Sequence, residues 1–288
     1  MLKRRIVGVL VVKGGIVVQS IGFSRYLPVG VPEIAVEYLN RWGIDEIVIL
    51  DIDATPRKAA PALDVLKRCS ALSLAPMTYG GGIASLHAIE SVIQAGFEKV
   101  AVNTALVDHP EVITEGARSF GCQSIVASID AKKTEAGYEA FVACGKRATG
   151  QAPEALAKHA QDLGAGEILL TSIDRNGSKL GYDAELISRV RAAVTIPVIV
   201  CGGVDHPRHF REAIDLGVSA VAAGNFFHYT EHSVIVAKRH LVSGQAPVRL
   251  DTYTTYEGFA HGARGRATKR DDDYLEALRF MYVPEEVI

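Results

Sequence analysis

An internal repeat constrains the fold of this chain more than any other feature of its sequence. When the first half of the 288 residues is shifted by 121 positions, identical residues align in register. The aligned pairs are Gly43 with Gly164, Glu46 with Glu167, Ile47 with Ile168, Asp53 with Asp174, Pro76 with Pro197, Gly81 with Gly202, Gly82 with Gly203 and Gly96 with Gly217. So many coincidences near the ends of predicted strands indicate two copies of one structural unit.

Eight short apolar segments alternate with longer amphipathic ones, which predicts parallel strands joined by helices. The predicted strands cover residues 5–12, 46–51, 76–79, 99–103, 124–130, 167–172, 197–201 and 219–223, and helices are predicted at 31–42, 85–95, 153–163 and 183–193. This order is typical of an α/β fold, the (βα)8 TIM barrel, over residues 1–245, with a doubly wound sheet as the alternative. The repeat favours the barrel, because two half-barrels close into a ring and an open sheet needs no such symmetry.

Residues 246–288 form a short extension beyond the predicted barrel. A basic stretch at 261–270 precedes three aspartates at 271–273, which favour the start of a helix across 274–282. Leu275, Leu278 and Met281 are spaced three apart in it. We expect this helix to pack on the barrel, and docking of a further partner is the alternative.

Composition and charge argue against several classes of function. A net charge of −2 provides no basic field for nucleic acid or an anionic membrane. No apolar run reaches the ~18 residues of a spanning helix. The four cysteines form no CxxC pair, which argues against a disulfide framework or a structural zinc site. We expect a cytoplasmic protein with no metal and no cofactor that binds neither nucleic acid nor membrane.

Two glycine clusters follow predicted strands at the face where such barrels carry their active sites. Glycines allow backbone N–H groups to approach an anion closely, and a following helix N-terminus adds a favourable dipole. The repeat therefore predicts two phosphate sites on opposite sides of the barrel mouth, suited to an elongated ligand with a phosphate at each end. The candidates are Gly81, Gly82, Asn103 and Thr104 in the first half, and Gly202, Gly203, Gly224 and Asn225 in the second. The alternative is that these glycines only turn strand into helix.

Two aspartates end predicted strands and are candidate acids or bases. Asp130 is the stronger candidate, since Ile129 and Ala131 leave it the only ionisable group at its strand tip. Asp51 is a second candidate acid. Lys13 aligns with Lys132 at an offset of 119, which places Val11 opposite Asp130 in the repeat. The alternative for each aspartate is a structural carboxylate that holds a loop.

Four charged residues lie near the N-terminal starts of predicted strands, at the opposite face. They are Arg5, Glu46, Lys99 and Glu167. Charges at that face commonly only cap the barrel in solvent. Two acids and two bases could instead form a ring across the barrel axis and gate an axial passage.

Several stretches resemble the cyclase subunit of imidazole glycerol phosphate synthase over roughly residues 1–245. They are VLVVKGG, GIDEIVILDIDA, YGGGI, KVAVNTAL, SIDAKK, GAGEILLTSIDRNGSKLGYD and CGGV. The resemblance implies a heterodimer with a glutaminase docked on the N-terminal face, and ammonia that passes up the barrel. It also implies an ammonia gate at Arg5, Glu46, Lys99 and Glu167, a catalytic Asp130, and phosphate contacts that include Gly177 besides glycines named above.

Three positions depart from that family pattern. The second catalytic aspartate falls on Val11, a substrate-holding lysine falls on Gln19, and a hydroxyl residue of one phosphate site falls on Asn225. The pattern resembles cyclase-like paralogues of surface-sugar gene clusters, in which ammonia is passed to a sugar amidotransferase. We expect delivery of ammonia to such an acceptor. The alternatives are a working cyclase of histidine biosynthesis and a non-catalytic scaffold that binds a phosphorylated metabolite.

Overall fold

Eight parallel strands close into a barrel in the computed structural model, which describes residues 3–230, 232–250, 260, 262, 268 and 273. The barrel strands, in chain order, are β1 Arg5–Lys13, β4 Glu46–Asp51, β5 Met77–Gly80, β6 Lys99–Val102, β7 Ile125–Thr134, β10 Glu167–Ser172, β11 Val198–Cys201 and β12 Ala220–Ala223. Each pairs with the next, and β12 returns to pair with β1 in parallel, with Arg5 opposite Ala220. This closure confirms the (βα)8 prediction and leaves no role for the open-sheet alternative.

Two β-hairpin extensions that the sequence analysis did not predict lie on top of the barrel. After β1 come β2 Ile16–Ile21 and β3 Arg25–Gly30, and after β7 come β8 Gly137–Val142 and β9 Arg147–Ala148. Gly14 and Gly15, with φ of 61° and 80°, make the tight turn from β1 into β2. Both extensions occupy equivalent places in the two halves, so the repeat includes them.

The helices form the outer layer around the barrel. They are α1 Pro32–Arg41, α2 Ala54–Arg57, α3 Leu63–Ser70, α4 Leu86–Gln94, α5 Thr104–Asp108, α6 Glu111–Phe120, α7 Pro153–Leu163, α8 Ala184–Ala193, α9 Pro207–Asp215 and α10 Ser233–Ser243. Alternate strand residues face these helices and form the main apolar core, while the others fill the barrel interior. In the described part of the chain, no helix is both long and apolar enough to cross a membrane.

The last helix fastens the end of the barrel to its beginning. Lys238 on α10 is 1% exposed, and its Nζ lies 2.6 Å from both Asp45 Oδ1 and the carbonyl oxygen of Gly43. Just after α10, the carbonyl of Pro247 accepts a hydrogen bond from the N–H of Arg4. The helix predicted at 274–282 lies outside the described residues.

Candidate functional site

A cavity of about 700 Å³ opens at the C-terminal ends of the barrel strands. Strand ends of both halves contribute to its lining, among them Val11, Asp51, Asn103, Asp130 and Cys201. The unpredicted hairpins supply part of the wall through Tyr26 and Cys144. The cavity therefore lies at the face where the sequence analysis expected the chemistry.

Asp130 is the buried acid of this cavity. Its side chain points into the barrel from β7, and Asn103 donates a hydrogen bond from Nδ2 to Asp130 Oδ2 over 3.3 Å. No lysine or arginine among the described residues forms an ion pair with it. Burial without a counter-ion raises the pKa of Asp130 to about 7. A carboxyl group with that pKa can exchange a proton near neutral pH.

Val11 occupies the position in the first half that Asp130 occupies in the second. Val11 pairs with Leu50 across β1 and β4, and Asp130 pairs with Thr171 across β7 and β10. Leu50 and Thr171 are themselves related by the 121-residue repeat. The strand register thus gives the 119-residue offset that the sequence analysis used, and the barrel mouth has an acid on one side and an aliphatic side chain on the other.

Asp51 lies at the cavity edge but differs from Asp130 in orientation. It follows Leu50, whose side chain is in the barrel interior, so alternation along β4 turns Asp51 toward the helices. Its Oδ1 accepts a hydrogen bond of 2.9 Å from the N–H of Asp53. Burial is the largest influence on this carboxyl and raises its pKa. These contacts favour the loop-holding alternative for Asp51.

The first glycine cluster borders the cavity together with its predicted polar partners. The N–H of Gly82 lies 3.3 Å from Thr55 Oγ1. A Cβ at Gly82 would lie 2.5 Å from the carbonyl oxygen of Ala59, so this position admits no side chain. Asn103 donates to the carbonyl of Ser128 over 3.0 Å, and Thr104 Oγ1 accepts a 3.2 Å bond from the N–H of Ala143.

The second glycine cluster, after β11, is covered by the loop that follows β10. The carbonyl of Gly203 accepts a 2.8 Å bond from the N–H of Gly181. The Asn225 amide is engaged by Ser20, donating to its carbonyl over 2.8 Å and accepting from its N–H over 3.2 Å. Gly177 packs against Ile21 and Ser20 in the same region. In the described residues the cavity lining includes Gly81, Gly82, Asn103 and Thr104, but not Gly177, Gly202, Gly203, Gly224 or Asn225.

Arg5, Glu46, Lys99 and Glu167 form a ring at the N-terminal end of the barrel, here called the charged ring. Arg5 pairs with both glutamates, and Lys99 Nζ lies 3.0 Å from Glu46 Oε1 and 2.8 Å from Glu167 Oε2. Thr78 donates a further bond to Glu46 Oε1 over 3.1 Å. The alternating order of charges compensates each member, so the predicted ring is present as a structure.

An apolar column joins the charged ring to the cavity along the barrel axis. Its residues are Val7, Val9, Val48, Ala101, Val126, Leu169, Ile199, Cys201, Ala220 and Ala222, with Val11 and Leu50 at its upper end. Most of these side chains are small or β-branched. Ser128 and Thr171 also border the cavity, as does Asn103, the hydrogen-bond partner of Asp130.

Tyr26 and Cys144 are among the cavity residues that were not predicted as site residues. Cys144 lies in the turn between β8 and β9, and its thiol donates to the carbonyl of Ile52 over 3.2 Å. Burial raises its pKa to about 11. Tyr26 comes from β3, with the Lys13 ammonium 4.2 Å from its ring centre. Tyr26 belongs to the first hairpin extension, which the Gly14-Gly15 turn could have indicated, whereas Cys144 belongs to the second, which has no such turn.

Sequence comparisons place this geometry among known proteins. The family model described as histidine biosynthesis protein matches residues 5–233. The imidazole glycerol phosphate synthase subunit HisF of Pyrobaculum aerophilum is 45% identical over 83% of this chain and 94% of its own length. The putative imidazole glycerol phosphate synthase subunit hisF2 of Vibrio vulnificus is 38% identical over 92% of this chain and 98% of its own length. The subunit HisF of Thermococcus gammatolerans is 42% identical over 87% of this chain and all of its own. The chain belongs to the family of histidine biosynthesis proteins that includes these HisF subunits.

Proposed function

We propose that this chain is a cyclase-like subunit that receives ammonia from a glutaminase partner and delivers it to a phosphorylated acceptor in the cavity. The observation that carries this proposal is the combination of a complete charged ring below and a solitary acid above. Arg5, Glu46, Lys99 and Glu167 are all in place, whereas Asp130 faces Val11 across the mouth.

The barrel interior supports passage of ammonia in its neutral form. The apolar column disfavours an ammonium ion, because burying an unpaired charge is costly. The charged ring closes the lower end of that column with its own hydrogen bonds. Entry from below requires Lys99 or Arg5 to release a glutamate for a moment, so the ring acts as a gate whose closed state is the one described.

The lower face offers an apolar surface beside this entrance for the glutaminase to cover. Leu74, in the loop that leads into β5, is 96% exposed, and Leu72 in the same loop is 39% exposed. Loops that lead into barrel strands lie at the N-terminal face, as the charged ring does. Two exposed leucines in one loop provide apolar area that a docked partner would bury.

Asp130 supplies the acid–base chemistry in the cavity. Ammonia adds to an electrophilic carbon of the acceptor through its nitrogen lone pair, and the new C–N bond leaves a positive nitrogen that must lose a proton. The ionised Asp130 carboxylate accepts that proton and can return it to a leaving oxygen. One acid suffices for this exchange, and amidination of a surface sugar is a reaction of this kind. Closure of an imidazole ring would instead use a second acid at the position of Val11.

The deciding experiment is complementation of a histidine auxotroph that lacks its cyclase. We expect the wild-type gene to support little growth and Val11→Asp to restore it. Robust growth with the wild-type gene would overturn the proposal, because it would show that imidazole formation proceeds with Asp130 and no partner acid at position 11.

A working cyclase of histidine biosynthesis is the second candidate, and the 45% identity to a HisF subunit favours it. Growth of the auxotroph on the wild-type gene would support this candidate directly. Failure of both genes to restore growth would favour a binding scaffold, provided that the purified chain still binds phosphate at the first glycine cluster.

The glutaminase partner is tested by purification of the chain together with the glutaminase encoded nearest its gene. We expect a one-to-one complex, and we expect Leu74→Glu to disrupt it. Leu180→Glu is the matched control, since Leu180 is 70% exposed in a loop at the opposite face. Equal loss of binding in both variants would contradict docking at the lower face.

A further inference from the structure

The last helix of the barrel reaches the charged ring through one buried ion pair. The ammonium group of Lys238, on α10, lies 2.6 Å from Asp45 Oδ1 and 2.6 Å from the carbonyl oxygen of Gly43. The side chains of Lys238 and Asp45 are only 1% and 7% exposed. Removing one partner of such a pair leaves the other as an uncompensated buried charge, which is strongly unfavourable. The pair therefore fixes the position of α10 relative to the segment that leads into β4.

Asp45 extends this contact to the start of β1. Its Oδ2 accepts a 2.7 Å hydrogen bond from the N–H of Ile6, and its own N–H donates to the carbonyl of Ile6 over 3.1 Å. Arg5 comes directly before Ile6 in the chain. Glu46, which pairs with Arg5 in the charged ring, comes directly after Asp45. The doubly bonded contact between Asp45 and Ile6 thus holds the backbone beside two members of the ring.

The other backbone neighbour of Arg5 is held by the segment that follows α10. The N–H of Arg4 donates to the carbonyl of Pro247 over 2.6 Å. Arg4 is therefore attached just beyond the end of the last helix, and Ile6 is attached to that helix through Asp45. Because Arg5 lies between these two attachments, a displacement of α10 would move the backbone on both sides of it.

The second half of the barrel provides an internal comparison, because it lacks both the buried ion pair and the arginine. The equivalent residues are Ala117 for Lys238, Gly166 for Asp45, Ile125 for Ile6 and Ser124 for Arg5. The N–H of Gly166 still donates to the carbonyl of Ile125, over 3.0 Å. The backbone contact is thus common to both halves, whereas the ion pair occurs only in the half that supplies the arginine of the charged ring.

We propose that Lys238 is a positioning residue of the ammonia gate, which acts through Asp45 to keep Arg5 against the two glutamates of the charged ring. The gate opens when Arg5 or Lys99 releases a glutamate, and a fixed backbone at Arg5 makes that release rarer. This inference rests on the gate of the proposed function and adds the element that controls it, helix α10.

The experiment measures gate opening as the exchange of the Arg5 guanidinium protons with water, by NMR of the full chain, with Arg5→Lys to assign the signals. A paired guanidinium group exchanges its protons mainly while it is released. We expect Lys238→Met to accelerate this exchange about tenfold or more, because Asp45 loses a charged hydrogen-bond partner. Leu241→Ala is the matched control. Leu241 lies on the same helix and is 1% exposed, so its truncation weakens α10 but keeps the ion pair, and the exchange should stay near the wild-type rate.

Asp45→Asn tests whether Lys238 acts through Asp45. The asparagine keeps an oxygen for the N–H of Ile6 but removes the ion pair, so this variant should also exchange faster than the wild type. Adding Lys238→Met to it should then have no further effect, because the two changes remove one shared interaction. The double variant also removes both charges of the pair, so it provides the comparison with the wild type if Lys238→Met alone does not fold.

An unchanged exchange rate in Lys238→Met, or in the double variant if the single one does not fold, would overturn the inference. Equal acceleration in Leu241→Ala would overturn it as well, since a general loss of stability would then explain the effect. Independent, additive effects of the two substitutions would show that Lys238 does not act through Asp45. All of these measurements use the chain without a glutaminase or an acceptor. Failure of the proposed function in complementation or co-purification is therefore distinguishable from failure of this inference.

Discussion

Buried carboxylates at the two ends of the barrel have opposite surroundings, with cations beside them at one end and none at the other among the described residues. At the lower end, Glu46 and Glu167 are almost fully buried, yet each contacts both Arg5 and Lys99. At the upper end Asp130 is 8% exposed and has an amide neighbour, Asn103, but no cation among the described residues. The paired glutamates hold structure, whereas burial without a cation raises the pKa of Asp130 to about 7, so that it exchanges its proton near neutral pH. The lower end is therefore closed by paired charges, whereas the upper end keeps a carboxyl group without a cation.

The largest effect should come from giving the upper end a second acid. Val11→Asp is expected to raise the rate of imidazole glycerol phosphate formation, with an ammonium salt as nitrogen source, by about 10²-fold or more. The measurement is steady-state kinetics of the purified chain. Val11→Asn, similar in size and polarity but without the acid, is the control. A similar rise in both variants would show that polarity and not acid chemistry limits the wild-type chain.

The second-largest effect should come from removing one carboxylate of the charged ring, which leaves its two cations incompletely compensated. Glu46→Gln leaves Arg5 and Lys99 with one carboxylate between them, and we expect a loss of about 3 kcal/mol in the free energy of unfolding. Urea unfolding measures it. Glu185→Gln removes an exposed carboxylate that also contacts two cations, Lys133 and Arg189, and should cost far less, because solvent screens surface ion pairs. Equal losses would contradict the structural role of the charged ring.

The pH dependence of stability should separate the two ends further. Burial raises the pKa of Asp130 to about 7 from 3.8, so the folded chain keeps a proton that the unfolded chain releases. Asp130 therefore lowers stability progressively as pH rises from about 4 to about 7, by roughly 4 kcal/mol. Asp130→Asn removes this loss, so the variant should exceed the wild type in stability at pH 8 and match it near pH 4.

Because other buried groups also titrate, the test is the difference between the two proteins at each pH. His228, whose pKa burial lowers to about 4, affects both equally. A difference that stays constant from pH 4 to pH 8 would show that Asp130 does not keep its proton in the folded chain.

The smallest effect concerns backbone strain above the cavity. Ala143 has a φ of 53° in the turn between β8 and β9, a conformation that costs a side chain about 1 kcal/mol and glycine almost nothing. Ala143→Gly should therefore stabilise the chain by up to ~1 kcal/mol in thermal unfolding. Ala155→Gly, on the exposed side of α7, should destabilise it by a similar amount. The same sign in both variants would contradict strain at this turn.

Much of the barrel was predictable because its signals are local. Continuous apolar runs and the repeat located all eight strands to within a few residues, and the charged ring followed from which residues begin them. Asp130 was predictable as the single ionisable group at a strand tip. The opposite orientation of Asp51 followed only from the register, since its phase relative to Glu46 turns it toward the helices.

Other features depend on contacts that no local pattern reveals. The first hairpin was missed because Gly14 and Gly15 were taken as the end of a strand and not as the turn into β2. The second was missed because its turn, at residues 135 and 136, contains no glycine. The engagement of Asn225 by Ser20 joins residues 205 positions apart.

The composition of the charged ring has a consequence for how the barrel assembles from its repeat. Arg5, Glu46 and Lys99 come from the first half, and Glu167 comes from the second. An isolated first half thus exposes one excess positive charge at this end, and an isolated second half exposes one negative charge. The two halves, expressed as separate fragments, are therefore complementary where they meet, and a pair of identical first halves would bring like charges together. The charges of the ring thus favour pairing of a first half with a second half over pairing of two first halves.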